Sequence, residues 1–95
     1  MWVEVSLKNG KLNINYKNNV MSRHVKELKE QKEAVYGCDD YGYFYLIFDD
    51  KNGIPEDDFL IEKQDMVPKD DFVKFLKEIK ADPKHISLAK KEKHF

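Results

Sequence analysis

The side chains with the widest chemical reach in this 95-residue chain are one cysteine, Cys38, and three histidines, His24, His85 and His94. A thiol beside an imidazole makes a thiolate nucleophile. Nothing in the spacing of these four residues brings a thiol and an imidazole together. A lone cysteine next to Gly37, at the end of an expected helix, reads as a packing residue. Histidines among many carboxylates also raise a metal site, but the chain has no His-x-Glu, no HExxH and no cysteine pair. The expectation is therefore no enzyme, no cofactor and no metal.

Two further patterns fail on particular residues. If Gly53 took the glycine position of a calcium-binding helix-loop-helix, the first and last ligand positions would fall on Phe48 and Phe59, neither of which binds calcium. The stretch Tyr41–Phe48 matches part of an RNA-recognition strand at Gly42, Tyr43 and Phe48. Tyr41, however, replaces its basic residue and Phe44 its small one. Acidic neighbours on both sides would also repel a phosphate backbone. The four glycines stand singly, so no phosphate-cradling loop is present.

Charge is more informative by segment than in total. The formal net charge is only −1, which argues against a generic nucleic-acid binder. Arg23 is the single arginine among 17 basic residues, so the usual bidentate phosphate contact is scarce. Residues 1–38 carry +3, residues 39–71 carry −8, and residues 72–95 carry +4. The acidic middle surrounds the most aromatic strand. Its candidate partner-binding residues are Asp39, Asp40, Tyr41, Tyr43, Tyr45, Asp49, Asp50, Glu56, Asp57 and Asp58. Asp70 and Asp71, also in this segment, suit the start of a helix.

The elements that would position them follow from period and punctuation. Residues 2–7 and 11–16 alternate apolar and polar across Asn9-Gly10, an expected hairpin with a dry face and a wet one. Ser22 as N-cap, an apolar stripe of Met21, Val25, Leu28 and Val35, and Gly37 as terminator predict a helix ending near Tyr36. Tyr41–Phe48 predicts a central strand, with Phe44, Leu46 and Phe48 on one face and Tyr41, Tyr43, Tyr45 and Ile47 on the other. Phe59–Glu62 predicts a further strand paired with the tyrosine-rich one. Pro68, Asp70 and Asp71 open a helix bearing Phe72, Val73, Phe75, Leu76 and Ile79 on one arc. Asp82-Pro83 begins a last segment whose residues 85–91 suit either a short helix or a strand.

The order β-β-α-β-β-α plus this C-terminal helix or strand predicts an α+β domain spanning residues 1–95. Its expected form is two-layered, a four-stranded antiparallel sheet with helices on one face. A single cysteine forbids an internal disulfide, and there is neither a leader-like start nor an apolar run of about 18 residues. The expectation is a cytoplasmic protein with no membrane role. Helices on the Phe44 face would leave the tyrosines open beside the acids. That surface suits a basic protein partner such as a nuclease or toxin, neutralised by occlusion as an immunity or anti-defence inhibitor would do. Two alternatives are a nucleic-acid module using Lys84, Lys90, Lys91 and Lys93, and a homo-oligomer formed through the open sheet face.

Overall fold

The computed structural model describes residues 2–62 and 67–93; His94 and Asp65 lie outside them. The expected N-terminal hairpin is present. β1 (Trp2–Lys8) and β2 (Lys11–Tyr16) pair antiparallel, with Lys8 opposite Lys11 and Val5 opposite Ile14. Asn9 and Gly10 take φ values of 53° and 74°, the left-handed pair that a type I′ turn requires. Val3, Val5 and Ile14 form its dry face.

The expected helix ending near Tyr36 is instead a second hairpin, β3 (Val20–Glu27) and β4 (Glu33–Asp39), with His24 opposite Tyr36 and Val25 opposite Val35. Its turn is closed by the Lys32 N–H donating to the Lys29 carbonyl at 3.3 Å, with Glu30 and Gln31 at φ 61° and 60°. This is the same left-handed pair, made from residues that ordinarily avoid it, so no Asn-Gly marks the turn. β4 is buried along its whole length, and a strand covered on both faces shows no alternation. Gly37 does not end a helix. It allows β3 to approach closely, since a Cβ there would collide with the Ser22 carbonyl beside a bulge between Val20 and Ser22.

β5 (Gly42–Phe48) follows β4 through a tight Asp40–Tyr41 turn, giving a sheet in the order β3-β4-β5. A short 3-10 turn at Lys51–Gly53 is capped by Asp50. β6 (Phe59–Glu62) forms where expected but pairs with β1, placing Phe59 opposite Val5 and Ile61 opposite Val3. The predicted single four-stranded sheet is thus two three-stranded antiparallel sheets, β2-β1-β6 and β3-β4-β5. Phe59 and Ile61 bury against the Val3/Val5 face, while the outer edge of β5 takes the Val67 N–H on the Tyr43 carbonyl at 3.0 Å.

α1 (Lys69–Glu78) starts after Pro68 as expected, with Asp70 and Asp71 in its first turn. The last segment resolves as a helix, α2 (Pro83–Lys90); Asp82 accepts the Lys84 N–H at 2.9 Å and Pro83 sits in the first turn. Three layers result where two were expected. Val3, Val5 and Ile14 meet Val35, Phe44, Leu46 and Phe48 between the sheets. On the other side of β3-β4-β5, Ala34 and Tyr36 meet Phe72, Phe75, Leu76 and Ala89 of the helices. The face of β5 expected to lie under a helix is covered by a sheet, and its tyrosine face is covered by helices. The single arginine ties the sheets together at one side, Arg23 Nη1 donating to the Ile14 carbonyl of β2 at 3.3 Å. Among the described residues, no helix is long and apolar enough to cross a membrane.

Candidate interaction surface

The ten candidate residues separate into two ends of β5 and a covered middle. Asp39 is no surface residue: it is 2% exposed. Its Oδ1 accepts the Tyr41 and Gly42 N–H groups at 2.8 and 3.1 Å, and its Oδ2 accepts Asn18 Nδ2 at 3.2 Å. This network is a side-chain-closed turn. It holds Tyr41 at the tip, 60% exposed, next to Asp40, which accepts Asn19 Nδ2 at 3.3 Å. The turn is pinned to the β2–β3 connection by both asparagines. Met21, opposite the same end of β4, is also exposed, as is Trp2. The Lys17 N–H donates to the Trp2 carbonyl at 3.1 Å, which places Trp2 beside that connection.

Tyr43 and Tyr45 do not form the open stripe that the sequence suggests. Tyr43 stacks on Phe72 with ring centroids 4.5 Å apart and planes 9° apart, and its hydroxyl donates to the Lys93 carbonyl at 3.3 Å. Tyr45 stacks on Phe75 at 3.9 Å and 13°. Both are half-buried beneath α1. The sequence pattern correctly places them on one face but does not say which layer covers that face.

Asp49, Asp50, Glu56, Asp57 and Asp58 are all exposed at the far end of β5, roughly 20 Å from Asp40 at the strand rise of about 3.3 Å per residue. One lysine answers them there, and a second pairs with Glu33 of β4 instead. Lys8 lies 3.9 Å from Asp58, and Lys51 makes a 2.6 Å ion pair with Glu33; that pair raises the Lys51 pKa through its hydrogen bond to Glu33. The β1–β2 turn brings Lys11 to this end as well, so the basic N-terminal segment softens the acidic run in space.

A cluster that spacing does not reveal lies under α2. His24 and His85 have ring centroids 4.0 Å apart, and the Tyr36 hydroxyl is hydrogen-bonded to His85 Nδ1 at 2.7 Å. Burial, then His24, hold the His85 pKa below its ordinary value, with Asp82 opposing them. Burial, then Asp82, raise the Tyr36 pKa. Both directions favour the neutral forms and suit a phenol–imidazole hydrogen bond. The cross-strand pairing of His24 with Tyr36 becomes visible only once residues 20–39 are read as a hairpin. Cys38 is buried with its Sγ 3.2 Å from Ser22 Oγ. Among the described residues, no group of three or more His, Cys, Asp or Glu side chains is placed to hold a metal ion. No protein-family model, curated protein or solved structure matches the chain.

Proposed function

We propose that this chain is a small non-enzymatic binding protein that docks on a basic protein, such as a nuclease or toxin, and acts by occlusion. The contact is centred on the Asp40–Tyr41 turn. The observation that carries this reading is Tyr41, a large aromatic side chain held out on a turn fixed by Asp39 and the two asparagines. An anchor already fixed in place loses little freedom on binding, and tyrosine is among the residues that dominate binding energy at interfaces. Exposed Trp2 and Met21 at this end of the molecule extend the apolar contact. The carboxylates at the far end of β5 act at longer range, steering a cationic partner during approach.

Capture from the native host, with purified wild-type chain and its Tyr41→Ala variant, tests the idea. A basic protein should be retained by the wild type and bound at least about tenfold more weakly by the variant, the loss typical of an interface anchor. Raising salt should slow association. Failure to retain any basic protein, or equal binding by Tyr41→Ala, would sink the proposal.

A second reading has one observation in its favour. Lys69, Lys74, Lys77 and Lys90 outnumber Asp70 and Glu78 around an open groove on the helical layer that Val73 also lines. Lysines act as point charges on a phosphate backbone, and the expected signature is salt-sensitive, sequence-independent binding. Anisotropy of a labelled RNA at low salt, unchanged on adding the chain, excludes it.

A further inference from the structure

β3 is the outer strand of its sheet, and no strand among the described residues pairs with its free side. The other edges are better guarded. β5 is met by Val67, an Ile14 carbonyl on β2 is taken by Arg23, and β6 has only four residues. β3 is the longest of these edges, at eight residues, and keeps Val25 at 47% and Met21 at 55% exposed; Ile47 on β5 and Leu60 on β6 are exposed too, but on the guarded edge and the short one. A free edge of this kind is a template for an added strand.

The order of side chains on β3 identifies the strand it fits. Arg23, Val25 and Glu27 share one face of β3, since successive residues alternate. We propose that β3 pairs antiparallel with β3 of a second copy of this chain, about a two-fold axis through Val25. In that register the two Val25 side chains meet at the axis. Arg23 of each copy then lies opposite Glu27 of the other, so both charge pairs are satisfied by one symmetric contact. Moving the axis to His24 sets Arg23 against Val25 and strips Glu27 of its cation. Moving it to Arg23 sets arginine against arginine. The complementarity therefore selects one register and one occupant, as an isologous interface requires. On the opposite face His24 falls opposite Lys26, which adds no attraction, so the contact rests on residues 23, 25 and 27. The Arg23 fork has five donors, and its bond to Ile14 occupies one of them. A single added strand buries less than the roughly 1,200 Å² of a stable complex, so the dimer forms at high concentration only.

Sedimentation velocity of the full chain from about 10 μM to about 1 mM is the first measurement, over the range appropriate to so small a contact. The wild type should shift from monomer to dimer across it. Arg23→Glu and Glu27→Arg each place like charges opposite one another, and each should weaken association at least tenfold. Mixed in equal amounts, they form a heterodimer in which every pair is opposite in sign, and the mixture should associate at least as well as the wild type. Arg23 also holds the Ile14 carbonyl, so circular dichroism must show that Arg23→Glu folds. If it does not, Val25→Lys replaces it and should abolish the dimer. A wild type that stays monomeric to 1 mM, a mixture that fails to associate, or a dimer that survives Val25→Lys overturns the proposal.

Discussion

Tyr16 closes β2 with its ring 5.2 Å from Phe44, in the layer between the sheets. Its hydroxyl oxygen is buried with no hydrogen-bond partner among the described residues, and the same holds for the Ser6 hydroxyl. A buried hydroxyl left unpaired costs about 1–3 kcal/mol. Tyr16→Phe keeps the ring contact and removes that cost, so chemical denaturation should show a variant more stable by about 1 kcal/mol. The pH dependence has a definite sign. Burial pushes the Tyr16 pKa up to about 12, against the opposing pull of Arg23. Below pH 10, the ordinary tyrosine value, the hydroxyl is protonated folded or unfolded and adds no pH dependence. Between 10 and 12 the unfolded chain releases its proton first, so stability falls as pH rises. A melting-temperature series above pH 9 should fall more steeply for the wild type than for Tyr16→Phe; parallel curves would refute the assignment. Of the candidate site residues, the sequence made the types and the strand face legible, but not the exposure. Asp39 and Asp40 are adjacent aspartates with nothing local to separate them. One closes the turn from inside and the other stands in solvent, because only Asp39 reaches the Tyr41 and Gly42 amides.

At the level of elements, the β3–β4 hairpin carries an identifiable local cost. Glu30 and Gln31 both hold positive φ, a conformation that costs about 1–2 kcal/mol per residue when a Cβ is present. Replacing the pair, Glu30→Asn with Gln31→Gly, installs the residues that favour this turn. The double variant should unfold at higher denaturant, with a net gain of about 1 kcal/mol. Part of the gross gain is offset by loss of the Asn52 Nδ2 bond to Gln31 Oε1 at 2.9 Å. A drop in midpoint would mean that the turn is held by contacts rather than strained. The same strain explains the misread helix. Residues 26–33 are lysine- and glutamate-rich, with good helix propensity and no turn residues, so every local signal favours a helix. The signals at Asn9-Gly10 and Pro68 agree with the tertiary environment, and the elements they mark form as read; Asp82-Pro83 marks the start of a segment that the sequence left open between helix and strand and that forms as a helix.

In the whole molecule, β3-β4-β5 is the middle of three layers, and the helices cover one of its faces chiefly through aromatic stacking. Phe72 is fully buried, stacked on Tyr43 and edge-on to Tyr36 at 6.4 Å. Phe72→Ala should cost about 3–5 kcal/mol from a domain stability of about 5–15 kcal/mol. For a chain of this length that lowers the melting temperature by about 12 °C or more, and it should expose the tyrosines to solvent quenchers. A change of only a degree or two would mean that the helical layer contributes little to the fold. This layering also governs the electrostatics, because the fold returns Lys8 and Lys11 to the end where the acids of residues 49–58 gather. By itself the sequence determined the features whose partners lie within a few residues: the first hairpin, the strand at 42–48, the helix after Pro68, and the Asp82-Pro83 start of a last segment that it left open between helix and strand. Only the tertiary structure decided that residues 20–39 are strands, that β6 joins β1, and that α1 covers the tyrosines. The reason is physical. Helix caps and tight turns bond their own neighbours, whereas a strand gains its hydrogen bonds and burial from segments far along the chain, which no local pattern specifies.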